Sequence, residues 1–276
     1  MPVPEATTAA GRSGLSALLD RPATAAIAFD FDGVLSEIVA DPEAAQPHPA
    51  VVPALVGLGG RVGAVAIITG RPASFVLSRD GFGPLTDLPT LTVYGQYGRE
   101  RWTRAGGYAP APADPRVDEA RAYVAELLAR PGADPGLWLE DKGSAVAVHT
   151  RRTADPEGEL AALTAPLTAL AERLGLRLEP GKLVLEVRPA GVDKGAVLTA
   201  FVREHDAGSV AYAGDDLGDL AAFDAVEALR AEGVPGVTIC SGSPEATVVA
   251  ERADLVVDGP AGIAALLADL TAALAT

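Results

Sequence analysis

The segment Ala25–Gly33 reads AAIAFDFDG, an apolar run that stops at two carboxylates and a glycine. Such a run, closed by polar turn residues, is typical of a buried strand. Asp30 and Asp32 are separated by one residue, so both side chains can face one pocket at the strand end. One carboxylate can attack phosphorus while the other handles a proton, and Gly33 lets the chain turn sharply. Taken alone, the motif is also compatible with an ordinary turn.

The same arrangement recurs along the chain. Further apolar runs that end in turns rich in glycine or aspartate cover residues 62–68, 91–94, 210–213, 237–240 and 254–257. Helical stretches between them cover residues 49–58, 195–205 and 217–232. Apolar strands that alternate with helices predict an α/β fold, a Rossmann-like parallel sheet covered on both faces. Ligands of such sheets bind beyond the carboxyl ends of the strands, where all these turns fall.

The pattern changes in the middle of the chain. Residues 105–115 are rich in proline, glycine and alanine, which predicts a linker. After it come helical patterns at 117–129 and 157–174 and alternating, strand-like patterns at 137–140, 145–150 and 183–187. We therefore expect a smaller α/β cap domain at 101–188, inserted into a catalytic core made of residues 1–100 and 189–276.

Two further segments offer groups that can bind phosphate. In Thr69-Gly70-Arg71, a hydroxyl and backbone N–H groups at a helix start can hold a phosphate oxygen. The alternative is a threonine helix cap followed by an exposed arginine. In Asp193-Lys194-Gly195, the lysine can neutralise a phosphate as a point charge, or it can be an ordinary surface lysine.

The segment Gly214–Asp219 places three aspartates after another apolar run. Like charges this close cost electrostatic energy unless a cation relieves them, and carboxylate oxygens suit Mg²⁺. Asp215 can complete the oxygen shell around the metal, whereas Asp219 can hold a metal-bound water or orient the lysine. For Asp216, an acidic residue at a helix start is an equally good explanation.

Composition excludes several classes of protein. The formal net charge of −15 argues against nucleic acid or an anionic membrane as a partner. A single cysteine, Cys240, rules out an internal disulfide, and no apolar stretch is long enough to span a membrane. Residues 1–14 lack the pattern of a secretion signal, so we expect an irregular tail and a cytoplasmic protein.

The order of the four segments resembles the motifs of the haloacid dehalogenase superfamily. The resemblance narrows to the trehalose-6-phosphate phosphatase family over about residues 20–270. The stretches that carry it are 29–39, 69–71, 94–100, 140–143, 147–151, 185–189, 193–195 and 214–216.

This resemblance implies a role for each matched residue. The catalytic set would be Asp30 as nucleophile, Asp32 as general acid and base, and Thr69 and Lys194 as ligands of the phosphoryl group. The Mg²⁺ set would be Asp30, Asp32 through its backbone carbonyl, Asp215, and Asp219 through water. The substrate-binding set would be Gly70, Arg71, Glu140, Lys142, Arg151 and Glu186. Each of the cap residues in this set could equally belong to the solvent face of a sheet.

The sequence departs from the family pattern at Val34, Tyr97, Gly218 and Leu220, which puts the sugar preference in doubt. A first alternative is therefore a phosphatase for a related sugar or pseudo-sugar phosphate of secondary metabolism. A second, lower-ranked alternative is a non-catalytic sugar-phosphate-binding protein. We expect a monomer with a small-molecule substrate, Mg²⁺ as cofactor, and no nucleic acid or membrane partner.

Overall fold

The structure, a computed structural model, describes residues 3–39, 41–181, 183–190, 193–242 and 247–275. Its helices are α1 (Ala9–Asp20), α2 (Val51–Gly59), α3 (Ala73–Leu77), α4 (Gly83–Thr86), α5 (Pro115–Leu128), α6 (Pro156–Leu174), α7 (Lys194–Glu204), α8 (Leu220–Ala231), α9 (Thr247–Arg252) and α10 (Gly259–Ala273). Its strands are β1 (Ala25–Phe29), β2 (Ala64–Ile68), β3 (Leu91–Gly95), β4 (Glu100–Thr103), β5 (Gly107–Ala109), β6 (Trp138–Asp141), β7 (Val146–His149), β8 (Leu176–Gly181), β9 (Val184–Pro189), β10 (Ser209–Gly214), β11 (Gly236–Gly242) and β12 (Leu255–Asp258).

The chain divides into two compact units, Met1–Ala109 with Asp193–Thr276, and Pro110–Val192. The first unit contains an eight-stranded sheet in the order β12-β11-β10-β1-β2-β3-β4-β5. The strands from β12 to β3 run parallel, whereas β4 and β5 add an antiparallel edge. Every residue of β1, β2, β3 and β10 is buried, as expected for strands covered on both faces. The predicted α/β fold is confirmed.

The first residues of the described chain do not form the irregular tail that the sequence led us to expect. The hydroxyl of Thr8 caps α1 by accepting from the N–H of Gly11 at 2.9 Å, and it also donates to Asp254. The backbone N–H of Thr7 donates to the Asp254 carbonyl at 2.8 Å. Gly14 touches the backbone of Gly236 so closely that a Cβ there would lie 1.9 Å from its carbonyl oxygen. Small residues thus let α1 pack directly on the sheet.

The buried carboxylate of Asp254 joins several parts of this unit. Besides Thr8, it accepts from Arg230 and from the backbone N–H and the hydroxyl of Thr238, the latter two at 2.8 and 2.9 Å. These donors outweigh the cost of burial and lower the pKa of Asp254 below its ordinary value. Asp254 therefore stabilises the unit as an ionised group.

The second unit is a four-stranded antiparallel sheet, in the order β6-β7-β9-β8, packed on α5 and α6. One face is apolar and buried against the helices, where Val146, Val148, Leu185 and Val187 meet Leu167. The register pairs Glu140 and Glu186 with Ala147, so these residues share the opposite face of the sheet.

Three details differ from the sequence expectation. Strand β8 was not foreseen, although residues 176–179 alternate between leucine and a charged residue, because this alternation is short and directly follows the helical pattern at 157–174. Residues 101–109, expected in the cap, instead form most of β4 and all of β5 in the large sheet. The expected linker at 105–115 consequently contains a strand. No helix of the described residues is long and apolar enough to cross a membrane.

Candidate active site

Three strand ends meet at one edge of the large sheet. Strand β1 is hydrogen-bonded between β10 and β2, and all three run parallel. Asp30, Thr69 and Asp215 each follow directly after one of these strands, and all three are buried. The Asp30 N–H extends the ladder by donating to the carbonyl of Ala213 at 2.9 Å. The predicted clustering at the strand ends is therefore a consequence of parallel pairing.

Helix α7 delivers a buried ammonium group to Asp30. The helix begins at Lys194, and Asp193 caps it by accepting from the N–H of Ala196 at 2.8 Å. Lys194 Nζ lies 2.8 Å from Asp30 Oδ2. The other oxygen, Oδ1, accepts from the N–H of Phe31 at 2.6 Å. Asp30 is thus oriented through both of its carboxylate oxygens.

Negative charge exceeds positive charge in this cluster. One carboxylate oxygen each of Asp30, Asp215 and Asp219 lies within 4.8 Å of the other two. Burial, followed by the charges of Asp219 and Asp216, raises the pKa of Asp215 to about 8. Burial also raises the pKa of Asp30 well above its ordinary value, although Lys194 opposes this effect. A hard divalent cation would offset the excess negative charge and so stabilise the ionised forms of Asp30 and Asp215. The all-oxygen donor set suits Mg²⁺.

Asp219 is fully buried, and both of its oxygens are already in use. Oδ1 accepts from Lys194 Nζ at 2.7 Å and from the hydroxyl of Tyr212 at 2.6 Å. Oδ2 accepts from the N–H groups of Asp215 and Asp216 at 2.9 and 3.1 Å. A carboxylate has about four lone-pair sites, so these four donors saturate it. Of the two uses that the sequence left open for Asp219, this geometry favours orientation of the lysine.

Asp32 lies apart from the lysine and pairs with Arg71. The guanidinium binds it as a fork, with Nε–Oδ2 at 2.6 Å and Nη2–Oδ1 at 2.7 Å. Arg71 also donates to the carbonyl of Pro42 at 2.7 Å and lies over the ring of Phe75, 4.2 Å from its centroid. The Asp32 side chain remains 34% exposed, so it can exchange protons with solvent or substrate.

The Thr69–Arg71 loop is held by a strained turn. Gln96 and Tyr97 both have positive φ, 49° and 57°. In this conformation their N–H groups donate at 2.9 Å to the carbonyls of Arg71 and Thr69 respectively. Gly70 fits closely beside the phenol, since a Cβ there would lie 2.7 Å from the Tyr97 hydroxyl. Strain of this kind is characteristic of functional sites.

The second unit brings most of its predicted residues together on the helix-free face of its sheet. Lys142 Nζ lies 2.6 Å from Glu186 Oε2 and 3.9 Å from Glu140 Oε2. His149 Nε2 lies 2.8 Å from the same Glu140 oxygen. Arg151, by contrast, is exposed in the turn after β7 and makes no described contact with this group.

Sequence reasoning missed two residues that support the core site. Tyr212 donates to Asp219, and the buried hydroxyl of Ser241 donates to the carbonyl of Gly33 at 2.6 Å. Tyr212 lies in the apolar run 210–213, where the pattern predicts burial but not a hydrogen-bond partner, so the only signal was a polar atom that had to be buried. Ser241 directly follows the run 237–240, where the sequence led us to expect a turn, whereas the structure extends β11 through it to Gly242.

Comparison with known sequences agrees with this geometry. The Trehalose-phosphatase family matches residues 28–257. The trehalose-phosphate phosphatase of Mycobacterium marinum is 37% identical over 99% of this chain, which corresponds to 67% of that protein. The trehalose-phosphate phosphatase of Mycobacterium tuberculosis is 37% identical over 73% of this chain, which corresponds to 51% of that protein.

Solved structures share the fold. The C-terminal domain of a C. albicans trehalose-6-phosphate phosphatase has a TM-score of 0.73 at 20% identity, with 99% of each chain covered. A haloacid dehalogenase-like hydrolase from Bacteroides thetaiotaomicron has a TM-score of 0.62 at 14% identity, covering 88% of this chain and 97% of that one. The activity predicted from the sequence, dephosphorylation of trehalose 6-phosphate, is confirmed at the level of the family. The chain belongs to the trehalose-phosphatase family.

Proposed function

We propose that this chain hydrolyses trehalose 6-phosphate to trehalose and phosphate through a phosphorylated Asp30. The observation that carries the mechanism is the buried Asp30–Lys194 pair beside two further buried carboxylates. A lysine in this position can neutralise both the nucleophile and the incoming phosphate. Membership of the family supports the choice of substrate.

In the first step, a carboxylate oxygen of Asp30 attacks phosphorus, and the bond from phosphorus to the sugar oxygen breaks. Asp32 gives its proton to that leaving oxygen. Lys194, the Thr69 hydroxyl and the Gly70 N–H bind the other phosphoryl oxygens, where negative charge accumulates. The contacts of both Asp30 carboxylate oxygens support this role, because they hold the nucleophile in one orientation.

In the second step, a water molecule attacks the phosphorylated Asp30. Asp32, now a carboxylate, takes a proton from this water molecule while the water oxygen forms its bond to phosphorus. The bond between Asp30 and phosphorus breaks, inorganic phosphate leaves, and Asp32 is again protonated for the next cycle. The fork from Arg71 supports this role because it holds the Asp32 carboxylate in one orientation.

We propose Mg²⁺ as the cofactor, held by Asp30, Asp215 and the main-chain carbonyl of Asp32. When bound, the ion would neutralise part of the charge on the phosphate and on the surrounding acids. The saturation of Asp219 supports a place for this residue outside the ligand set, with Lys194 as its partner.

We propose that the second unit, Pro110–Val192, is a cap that binds the sugar, and that the first unit is the catalytic core. Charged groups can each satisfy several sugar hydroxyls, which suits the group formed by Glu140, Lys142 and Glu186. Arg151, in its exposed turn, would complete the set on binding. A cytoplasmic location and a monomeric state remain proposals, the latter testable by light scattering.

The decisive experiment measures phosphate release from trehalose 6-phosphate, with and without Mg²⁺ after EDTA treatment. Asp30→Asn should abolish release while thermal unfolding stays near that of the wild type. The exposed Asp80→Asn, a matched change away from the site, should leave the rate unchanged. Metal-independent release, or activity in Asp30→Asn, would refute the mechanism. A panel of other sugar and pseudo-sugar phosphates tests the substrate, and faster hydrolysis of another member would replace trehalose 6-phosphate.

A further inference from the structure

Tyr212 is a fully buried tyrosine whose hydroxyl faces the active-site cluster. It lies on β10, three residues before Asp215, and its ring packs edge-to-face on Phe223 with centroids 6.2 Å apart. The hydroxyl donates to Asp219 Oδ1 at 2.6 Å. A phenylalanine would fill the same space, so packing alone does not require a tyrosine here.

The oxygen that receives this hydrogen bond is the one that holds the lysine. Asp219 Oδ1 accepts from Tyr212 and from Lys194 Nζ, and Lys194 Nζ in turn lies 2.8 Å from Asp30. The other Asp219 oxygen is fixed by two backbone N–H groups. Without the tyrosine hydroxyl, Oδ1 keeps Lys194 as its one partner, so this oxygen, and with it the ammonium group, is held less tightly.

We infer that Tyr212 is a positioning residue for the reaction, which acts through Asp219 to hold Lys194 against Asp30. The hydroxyl of Tyr212 contacts Asp219, which is why we assign it a positioning role rather than a catalytic one. The inference rests on the proposed function, in which Lys194 binds the phosphoryl group as it is transferred. Charge on that group changes most in the transition state, so a loosely held lysine lowers kcat more than it changes KM.

The test compares Tyr212→Phe with Tyr94→Phe in trehalose 6-phosphate hydrolysis. Tyr94 is a buried tyrosine on β3 of the same sheet, whose ring packs on Phe201. Tyr212→Phe should lower kcat about 10-fold, the effect of losing one hydrogen bond to a charged group, with KM within about twofold. Tyr94→Phe should leave both constants unchanged. A wild-type rate in Tyr212→Phe would overturn the inference, whereas an inactive wild-type protein would overturn the proposed function instead.

A double-mutant cycle separates positioning from general destabilisation. If Tyr212 acts through Asp219, then adding Tyr212→Phe to Asp219→Asn should change kcat by less than about twofold. Independent, multiplying losses would overturn the inference. The single variant Asp219→Asn tests the inference even if Tyr212→Phe folds poorly. A wild-type kcat in Asp219→Asn would show that Asp219 does not position Lys194 for the reaction.

Discussion

Substituting Gly33 by alanine should inactivate the enzyme without unfolding it. Gly33 has φ +71°, a left-handed conformation that costs an alanine about 1 kcal/mol. In addition, a Cβ at Gly33 would lie 2.0 Å from Asp215 Oδ2, whereas ordinary contact begins at 3.4 Å. Asp215 would therefore have to retreat by about 1.4 Å, the difference between these two distances. A displacement of about 1 Å in a catalytic group can cost about 100-fold in rate, and we expect a loss of kcat of that order.

The chain provides a matched control for this change. Gly81 has φ +77°, and a Cβ there would meet nothing within 4 Å. Gly81→Ala thus incurs the same backbone cost without the contact with Asp215. Both variants should lower the melting temperature by about 2–4 °C, the shift expected for about 1 kcal/mol in a protein of this size. Only Gly33→Ala should lose activity in phosphate release from trehalose 6-phosphate.

The comparison of the two variants shows whether the close approach of Gly33 to Asp215 is needed for activity. If Gly33→Ala keeps a kcat within about threefold of that of Gly81→Ala, the position of Asp215 does not limit the reaction, and the reasoning fails. If Gly33→Ala loses activity but also melts far below Gly81→Ala, the loss is one of folding rather than of geometry. Circular dichroism at the assay temperature distinguishes these outcomes.

Three further predictions follow from other contacts. Asp254→Asn should destabilise the fold by about 2 kcal/mol at pH 7, which corresponds to about 6 °C in melting temperature. Because folding lowers the pKa of Asp254, the stability advantage of the wild type is complete above pH 3.8, the ordinary pKa of the group. The advantage disappears as the pH falls through the lower pKa of the folded state. Arg71→Lys should lower kcat about 10-fold, because lysine cannot form the fork that holds Asp32. Lys142→Met should raise KM for trehalose 6-phosphate about 10-fold and leave hydrolysis of p-nitrophenyl phosphate, which has no sugar, unchanged.

Each of these predictions has its own control. Asp80→Asn, at an exposed site, should show no pH-dependent stability difference from the wild type. Arg79→Lys is matched to Arg71→Lys, because Arg79 lies 4.0 Å from the centroid of the same Phe75 ring. A raised KM with normal kcat in Arg71→Lys would mean that Arg71 binds substrate rather than Asp32. Equal losses on both substrates in Lys142→Met would exclude a sugar-specific role.

The sheet and the catalytic edge could be predicted from sequence for a physical reason. Strands buried on both faces must be apolar throughout, and the polar residue that ends each run marks the carboxyl edge. Asp30, Thr69 and Asp215 each end an apolar run, so the sequence placed them at this edge of the sheet. Lys194 was recognisable only by its place in the series of motifs, because a lysine at a helix start is usually solvated.

Other features had no comparable signal. A buried tyrosine looks the same in a sequence whether or not its hydroxyl has a charged partner, so the hydrogen bond from Tyr212 to Asp219 could not be predicted. The packing of α1 depends on contacts between Thr8 and Asp254, which are 246 positions apart. The antiparallel edge at 100–109 was obscured by its glycines and short strands, which resemble a linker in composition.

The position of β1 between β2 and β10 has a consequence for the nascent chain on the ribosome. Phe29 ends β1, but the neighbouring β10 begins only at Ser209, so the ribosome makes β10 much later than β1. At about 5–20 residues per second, the ribosome needs roughly 10–35 s to make the intervening stretch of about 180 residues. Throughout that time one edge of an entirely apolar strand has no permanent partner, which is a hazard for aggregation. The continuous unit Pro110–Val192 is complete before then, so we expect nascent-chain chaperones to be needed chiefly for the catalytic sheet.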